Sequence, residues 1–108
     1  MKPTTFAPAY VGLYPALAEI AQQHGYALAI HGSVSRDFDL VCIPWTESAT
    51  DADTLVRAIA ERISWRIEGK IDYVMTLTEQ KLHGRRSWAL PIECGAVLDV
   101  SVMPRIAG

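Results

Sequence analysis

Three short apolar runs, each closed by glycine or proline, limit what this chain can fold into. "YALAIHG" (26–32), "DFDLVCIPW" (37–45) and "AVLDVSVMP" (96–104) are too short for helices of ordinary length and match strands. "RRSWALPIE" (85–93) reads the same way, so the last two runs predict an antiparallel hairpin turning around Cys94 and Gly95, with Pro104 ending the final strand. Two other stretches follow a helical period. Leu13, Leu17, Ile20 and Ala21 predict a helix over about 10–24, stopped by His24 and Gly25. Leu55, Val56, Ile59, Ala60 and Ile63 predict a second over about 51–64, preceded by Ser, Thr and Asp capping candidates. Residues 65–84 carry the weakest pattern and read as loop or as a strand around Tyr73 to Leu77. The order predicts an α+β fold: a mixed, mostly antiparallel sheet with helices on one face.

At 108 residues the chain has material for a single domain spanning 1–108. Half of it is hydrophobic and a fifth is charged, which places it with globular proteins rather than disordered ones. A formal charge of -2 supplies no general attraction to nucleic acid or anionic membrane, so phosphate recognition would need a local cluster. No apolar run approaches the roughly 20 residues of a membrane helix. Pro3, Pro8 and Pro15 interrupt the stretch where a signal peptide would be continuous, and a cytoplasmic location is expected. Cys42 and Cys94 lie in apolar runs without CxxC spacing, and His24, His31 and His83 are scattered, so neither a disulfide framework nor a zinc site is indicated.

The acids inside the apolar runs carry the chemistry. Asp37 and Asp39 share one face of a strand, about 7 Å apart by its rise, while Phe38, Leu40 and Cys42 take the other. Asp99 shares its face with Ser101, opposite Leu98, Val100 and Val102. Should the two strands be neighbours, three carboxylates converge, and like charges so placed call for a hard cation such as Mg²⁺. Gly32 and Ser33 offer backbone amides and a hydroxyl to phosphate oxygens. A plainer reading stands beside this one: aspartates at strand starts form turns, Asp37 can pair with Arg36, and Asp99 with Arg85 or Arg86.

These residues together resemble the nucleotidyltransferase superfamily of DNA polymerase beta type, including its minimal members. The resemblance rests on "IHGS" at Ile30 to Ser33, "DFDLV" at Asp37 to Val41 and "LDV" at Leu98 to Val100. It implies a nucleotidyltransferase-like core in which Asp37, Asp39 and Asp99 bind Mg²⁺ and a nucleoside triphosphate. Asp99 would help activate the acceptor hydroxyl, and Gly32 and Ser33 would touch phosphates. Only Val34, Ser35 and Arg36 separate the Gly-Ser from the first aspartate, where typical members place a helical turn whose N-terminus donates amides. The chain is also similar, over nearly its whole length, to a group of small proteins of tailed bacteriophages and prophages that share "HGSxxRDxDLxxxPW", "HGR" and "DxSxMPR". That likeness implies a phage or bacterial setting and supplies no activity. It leaves open an alternative: an accessory protein that keeps the scaffold without catalysis and binds nucleotide, nucleic acid or a host protein.

Lys81, His83, Arg85 and Arg86 in "KLHGRRSW" form the one basic cluster. With Arg36 they are candidates to hold a triphosphate or a nucleic-acid backbone, although a solvated loop explains them too. A base could stack on Trp45 or Trp88, while Trp65 and Trp88 read first as packing residues. His31 stands beside Gly32, within reach of the acids.

Overall fold

A computed structural model of the chain describes residues 7–32, 37–92 and 95–105. Helix α1 (Ala7–Gln23) leads into strand β1 (Tyr26–His31) and, after residues 33–36, into β2 (Asp37–Pro44). Then follow helix α2 (Ala52–Arg62), a single helical turn α3 (Ile71–Val74), the short β3 (Thr78–Gln80), β4 (Arg86–Pro91) and β5 (Val97–Val102). The five strands form one sheet in the order β1-β2-β5-β4-β3. All neighbours are antiparallel except the central pair, β2 and β5, which run parallel. The α+β class, with a mixed and mostly antiparallel sheet, is therefore the observed one.

The strands alternate as their sequences require. Phe38, Leu40, Cys42, Trp88, Leu90, Leu98, Val100 and Val102 are buried on one face, beneath α1 and α2. Helix α1 contributes Tyr10, Leu13, Leu17 and Ala21, one stripe at spacings of three and four. It begins earlier than expected because Pro8 falls in the first turn, where a missing N–H costs nothing. Helix α2 contributes Leu55, Val56, Ile59 and Ala60, and Asp51 caps it by accepting the Thr54 N–H at 2.7 Å. Hydrogen bonding from the Thr54 side chain, and then from its backbone N–H, holds the Asp51 carboxyl below its ordinary range.

Two expectations are corrected. Residues 71–74 form a helical turn and not a strand, and the strand of this region begins at Thr78. The turn drives Val74 into the core and aims the Met75 carbonyl at the Trp88 indole N–H, 3.2 Å away. Trp65, expected to pack, is 64% exposed, because it lies in a separate 3-10 turn beyond the end of α2. Cys42 is buried, and burial pushes its thiol up to about 12, which leaves no thiolate at neutral pH. The expectations for Ser33, Arg36 and Cys94 fall outside the described residues. Among the described residues, no helix is long and apolar enough to cross a membrane.

Several polar contacts tie helices and loops to the sheet. Tyr14 donates its hydroxyl to the Leu28 carbonyl of edge strand β1 at 2.7 Å. Trp45 and Thr46 both donate backbone N–H groups to the Gly25 carbonyl, at 2.7 and 3.2 Å. Gly25 itself, at φ 85°, lies so close to the 46–49 loop that a Cβ would come within 2.7 Å of the Ala49 backbone. Tyr10 stacks on Phe38, with ring centroids 5.1 Å apart, and its hydroxyl accepts the Val97 N–H at 3.1 Å. Helix α1 thereby holds the start of β5. Tyr10→Phe would leave the Val97 N–H without that acceptor and is expected to cost about 1–3 kcal/mol, read as a lower urea midpoint.

Candidate functional site

Among the described residues, no helix lies over the second face of the sheet. Directly paired residues project to the same side, so the pairing register lists what this face presents. One row across the strands reads His31, Asp39, Asp99, Ala89, and the next reads Ala29, Val41, Ser101, Ser87, Glu79. Most of these side chains are short, which leaves the face open as a shallow floor. Asp37 precedes Asp39 by two residues and stands on the same side, opposite Val97.

The parallel register places Asp39 directly across from Asp99, one interstrand spacing of roughly 4.8 Å away at the backbone. Asp39 and Asp99 are half-buried and Asp37 is exposed. Burial raises the Asp99 carboxyl above its ordinary value; the negative charges of Asp39 and Asp37 raise it further, and Lys81 and Arg85 partly offset them. Gly32, at φ 79°, lies over Asp39, where a Cβ would stand 3.0 Å from its Oδ2. The glycine that ends β1 is thus the residue that lets the Asp39 carboxylate keep its place. Among the described residues, no three His, Cys, Asp or Glu side chains are arranged to hold a metal ion. The backbone register nonetheless brings Asp39 and Asp99 to one patch, with Asp37 alongside.

Beside Asp99 a cleft of about 590 Å³ opens along β4 and β3, lined among others by Lys81, Arg85, Ser87, Thr76 and Glu79. Arg85 donates from Nη1 to the Ser101 Oγ at 2.7 Å, and Lys81 pairs with Glu79 at 2.7 Å. Two of the candidate phosphate ligands therefore flank the acids. Arg86 is not brought here. It shares strand parity with Trp88 and Leu90 and so turns to the helix side, where it lies 4.5 Å above the Trp88 ring and pairs with Asp53 of α2 at 2.8 Å. Its guanidinium fastens α2 to the sheet. Ser101 and Ser87 were not among the predicted ligands, yet both lie on this face beneath the cations. The signal for them was the alternation of β4 and β5, two residues from Asp99 and next to Arg86.

No family model, curated protein or solved structure matches this chain. The chemistry of the open face has to be taken from its own residues: three clustered carboxylates on two central strands, with an arginine and a lysine on the third side.

The sign of the Asp99 shift has a thermodynamic consequence. A carboxyl with its pKa raised by folding binds more protons folded than unfolded, so stability falls as pH rises from the ordinary carboxylate value through the raised one. Above that window the penalty is constant. Asp99→Asn should therefore stabilise the protein at pH 7, by up to about 1 kcal/mol for so partly exposed a group. The gain should vanish well below pH 4, where the carboxyl is protonated in both states. Thermal unfolding of the two proteins at pH 3 and pH 7 tests this.

Proposed function

We propose that the open face is a nucleotidyltransferase-like site that takes a nucleoside triphosphate together with Mg²⁺. The observation that carries this reading is the parallel register of β2 and β5, which sets Asp39 against Asp99 with Asp37 alongside and Lys81 and Arg85 across the cleft. The donor set suits the ion in its chemistry: hard carboxylate oxygens, with Asp99 raised first by burial and then by the charges of Asp39 and Asp37. Asp37, Asp39 and Asp99 would hold Mg²⁺, and bound there it would neutralise phosphate charge and make an acceptor hydroxyl more acidic.

The protein's own residues divide the rest of the work. Arg85 and Lys81 hold the phosphates, with Arg85 oriented by Ser101. Asp99, directly across from Asp39 and lining the cleft, is placed to take the proton of the attacking hydroxyl. Gly32 allows backbone and phosphate to approach Asp39 closely. A nucleotidyl transfer of this type needs little covalent participation from the protein, because positioning and charge neutralisation supply most of the rate.

One observation favours a second reading, in which the face binds without catalysing. In the sequence only Val34, Ser35 and Arg36 separate the Gly-Ser from Asp37, where typical members of the resembled superfamily have several more residues. On that reading the protein is a phage or prophage accessory factor, and Asp99→Asn leaves ligand binding intact while there is no transfer activity to lose.

Calorimetric titration of ATP, GTP, CTP and UTP with Mg²⁺ separates these outcomes. The expected result is metal-dependent heat with at least one nucleotide, lost in Asp37→Asn/Asp39→Asn; no heat with any nucleotide, from a folded protein, removes the nucleotide site. Arg85→Ala should weaken nucleotide binding about tenfold, the loss of one charge-assisted hydrogen bond. Arg86→Ala should leave binding unchanged and lower the unfolding midpoint instead.

A further inference from the structure

A second concavity opens where β2 leaves the sheet. It is a groove of about 630 Å³ with Ile43, Met103 and Pro104 as apolar floor, and with Trp45, His83 and Arg105 among its walls. Trp45 is 78% exposed, although an indole is among the side chains with most to gain from burial. Its backbone is held firmly: Pro44 precedes it, its N–H and that of Thr46 bond to Gly25, and Arg105 donates to the Glu47 and Ala49 carbonyls of the following loop. The ring is a platform on a fixed base. Across the groove His83 holds φ 63° and ψ 31°, a left-handed conformation that costs a non-glycine residue energy and tends to occur where function requires it.

Continuity with the cleft beside Asp99 indicates the occupant. Arg105 and Glu47 balance one another in the lining, and Arg105 donates to the neutral Glu47 and Ala49 carbonyls, so the cations that border the groove come from the neighbouring turn. The turn that carries His83 also carries Lys81 and Arg85, closed by the Lys81 N–H bond to the Arg85 carbonyl at 2.7 Å. One side of that turn faces the cleft beside Asp99 and the other faces Trp45. Trp45 lies six residue steps beyond Asp39, just past the end of β2, about 20 Å away along an extended chain. That matches roughly six stacked nucleotides at 3.4 Å each, or fewer in a stretched strand. A nucleotide held at the acids would not reach the groove; a strand would.

We infer that the groove between Trp45 and His83 stacks a base of a single-stranded nucleic acid, whose backbone runs past the 81–85 turn toward Asp99. This deepens the nucleotidyltransferase-like reading by naming the polymer that would lie along the site, and it is tested without nucleoside triphosphate or metal. An exposed aromatic next to basic side chains is the arrangement by which proteins hold single strands with little sequence preference.

The test is fluorescence anisotropy of a labelled oligothymidylate of roughly twelve nucleotides, within the span of small single-strand sites. Wild type is expected to bind, with affinity falling as salt rises. Trp45→Ala should weaken binding about tenfold or more, the loss of one stacked base, Trp45→Phe should recover most of it, and Trp65→Ala should have no effect. His83→Gly, which relieves the left-handed strain, should bind more weakly while unfolding at the same or a higher temperature. No binding by folded wild type, or equal binding by wild type and Trp45→Ala, overturns the inference. Oligonucleotide binding that depends on Trp45 in a protein giving no heat with any nucleoside triphosphate upholds the groove and removes the nucleotide site. The converse result, heat with triphosphate and no oligonucleotide binding, removes the groove alone.

Discussion

The parallel pairing of β2 with β5 is the constraint on which the rest of the molecule depends. On the helix side it matches Phe38 with Leu98, Leu40 with Val100 and Cys42 with Val102, six side chains with almost no exposed area. Burying each of the larger ones is worth about 1.5–3 kcal/mol, so the pairing as a whole is worth on the order of 10 kcal/mol. The same register sets Asp39 against Asp99 on the other side, and a slip of one residue would send every one of these side chains to the wrong face. Two partly exposed carboxylates repel by only about 1 kcal/mol on the scale of such pairs. The core therefore wins easily, and the acids stay together at a cost the fold can carry.

Much of this was legible in the chain. Glycine and proline punctuation delimits β1, β2 and β5 almost to the residue, and helical periodicity finds α1 and α2. Strand alternation puts Asp37 with Asp39, and Asp99 with Ser101, on polar faces. The neighbourhood of the two acidic strands was not legible, because a parallel pair is joined by a long crossover and no local pattern encodes which strands meet. The turn at 71–74 was not legible: the pattern there reads as loop or as a strand around Tyr73 to Leu77, because Tyr73 and Val74 favour strands intrinsically, while the fold uses Val74 as a core contact on a single helical turn. The two adjacent arginines teach a finer lesson. Neighbours on a strand face opposite ways, so Arg85 and Arg86 could not both serve the acids, and the buried Trp88 two residues on already assigned Arg86 to the helix side.

The open face is also divided electrically. Asp37, Asp39 and Asp99 gather at one end, while Lys81, Arg85 and Arg105 lie on the side and far end, where Glu79 and Glu47 partly balance them. A net charge of -2 conceals this separation, which matters more for an anionic chain ligand than the sum does. The 81–85 turn is the joint between the two regions, and its two basic side chains next to Asp99 and its histidine beside Trp45 are set by one short loop.

The contact between Tyr14 and the Leu28 carbonyl bears on how the molecule behaves among copies of itself. A sheet with one bare face has two borders at which another chain can add a strand, and such addition would place a neighbour across the mouth of the site. At β1 a helix hydroxyl already occupies a carbonyl of that border. At the opposite border β3 is three residues long and carries Glu79, with Lys81 beside it, too short and too charged to template a new strand. The β3 border thus discourages lateral growth, and at β1 the Tyr14 bond holds helix α1 against the strand.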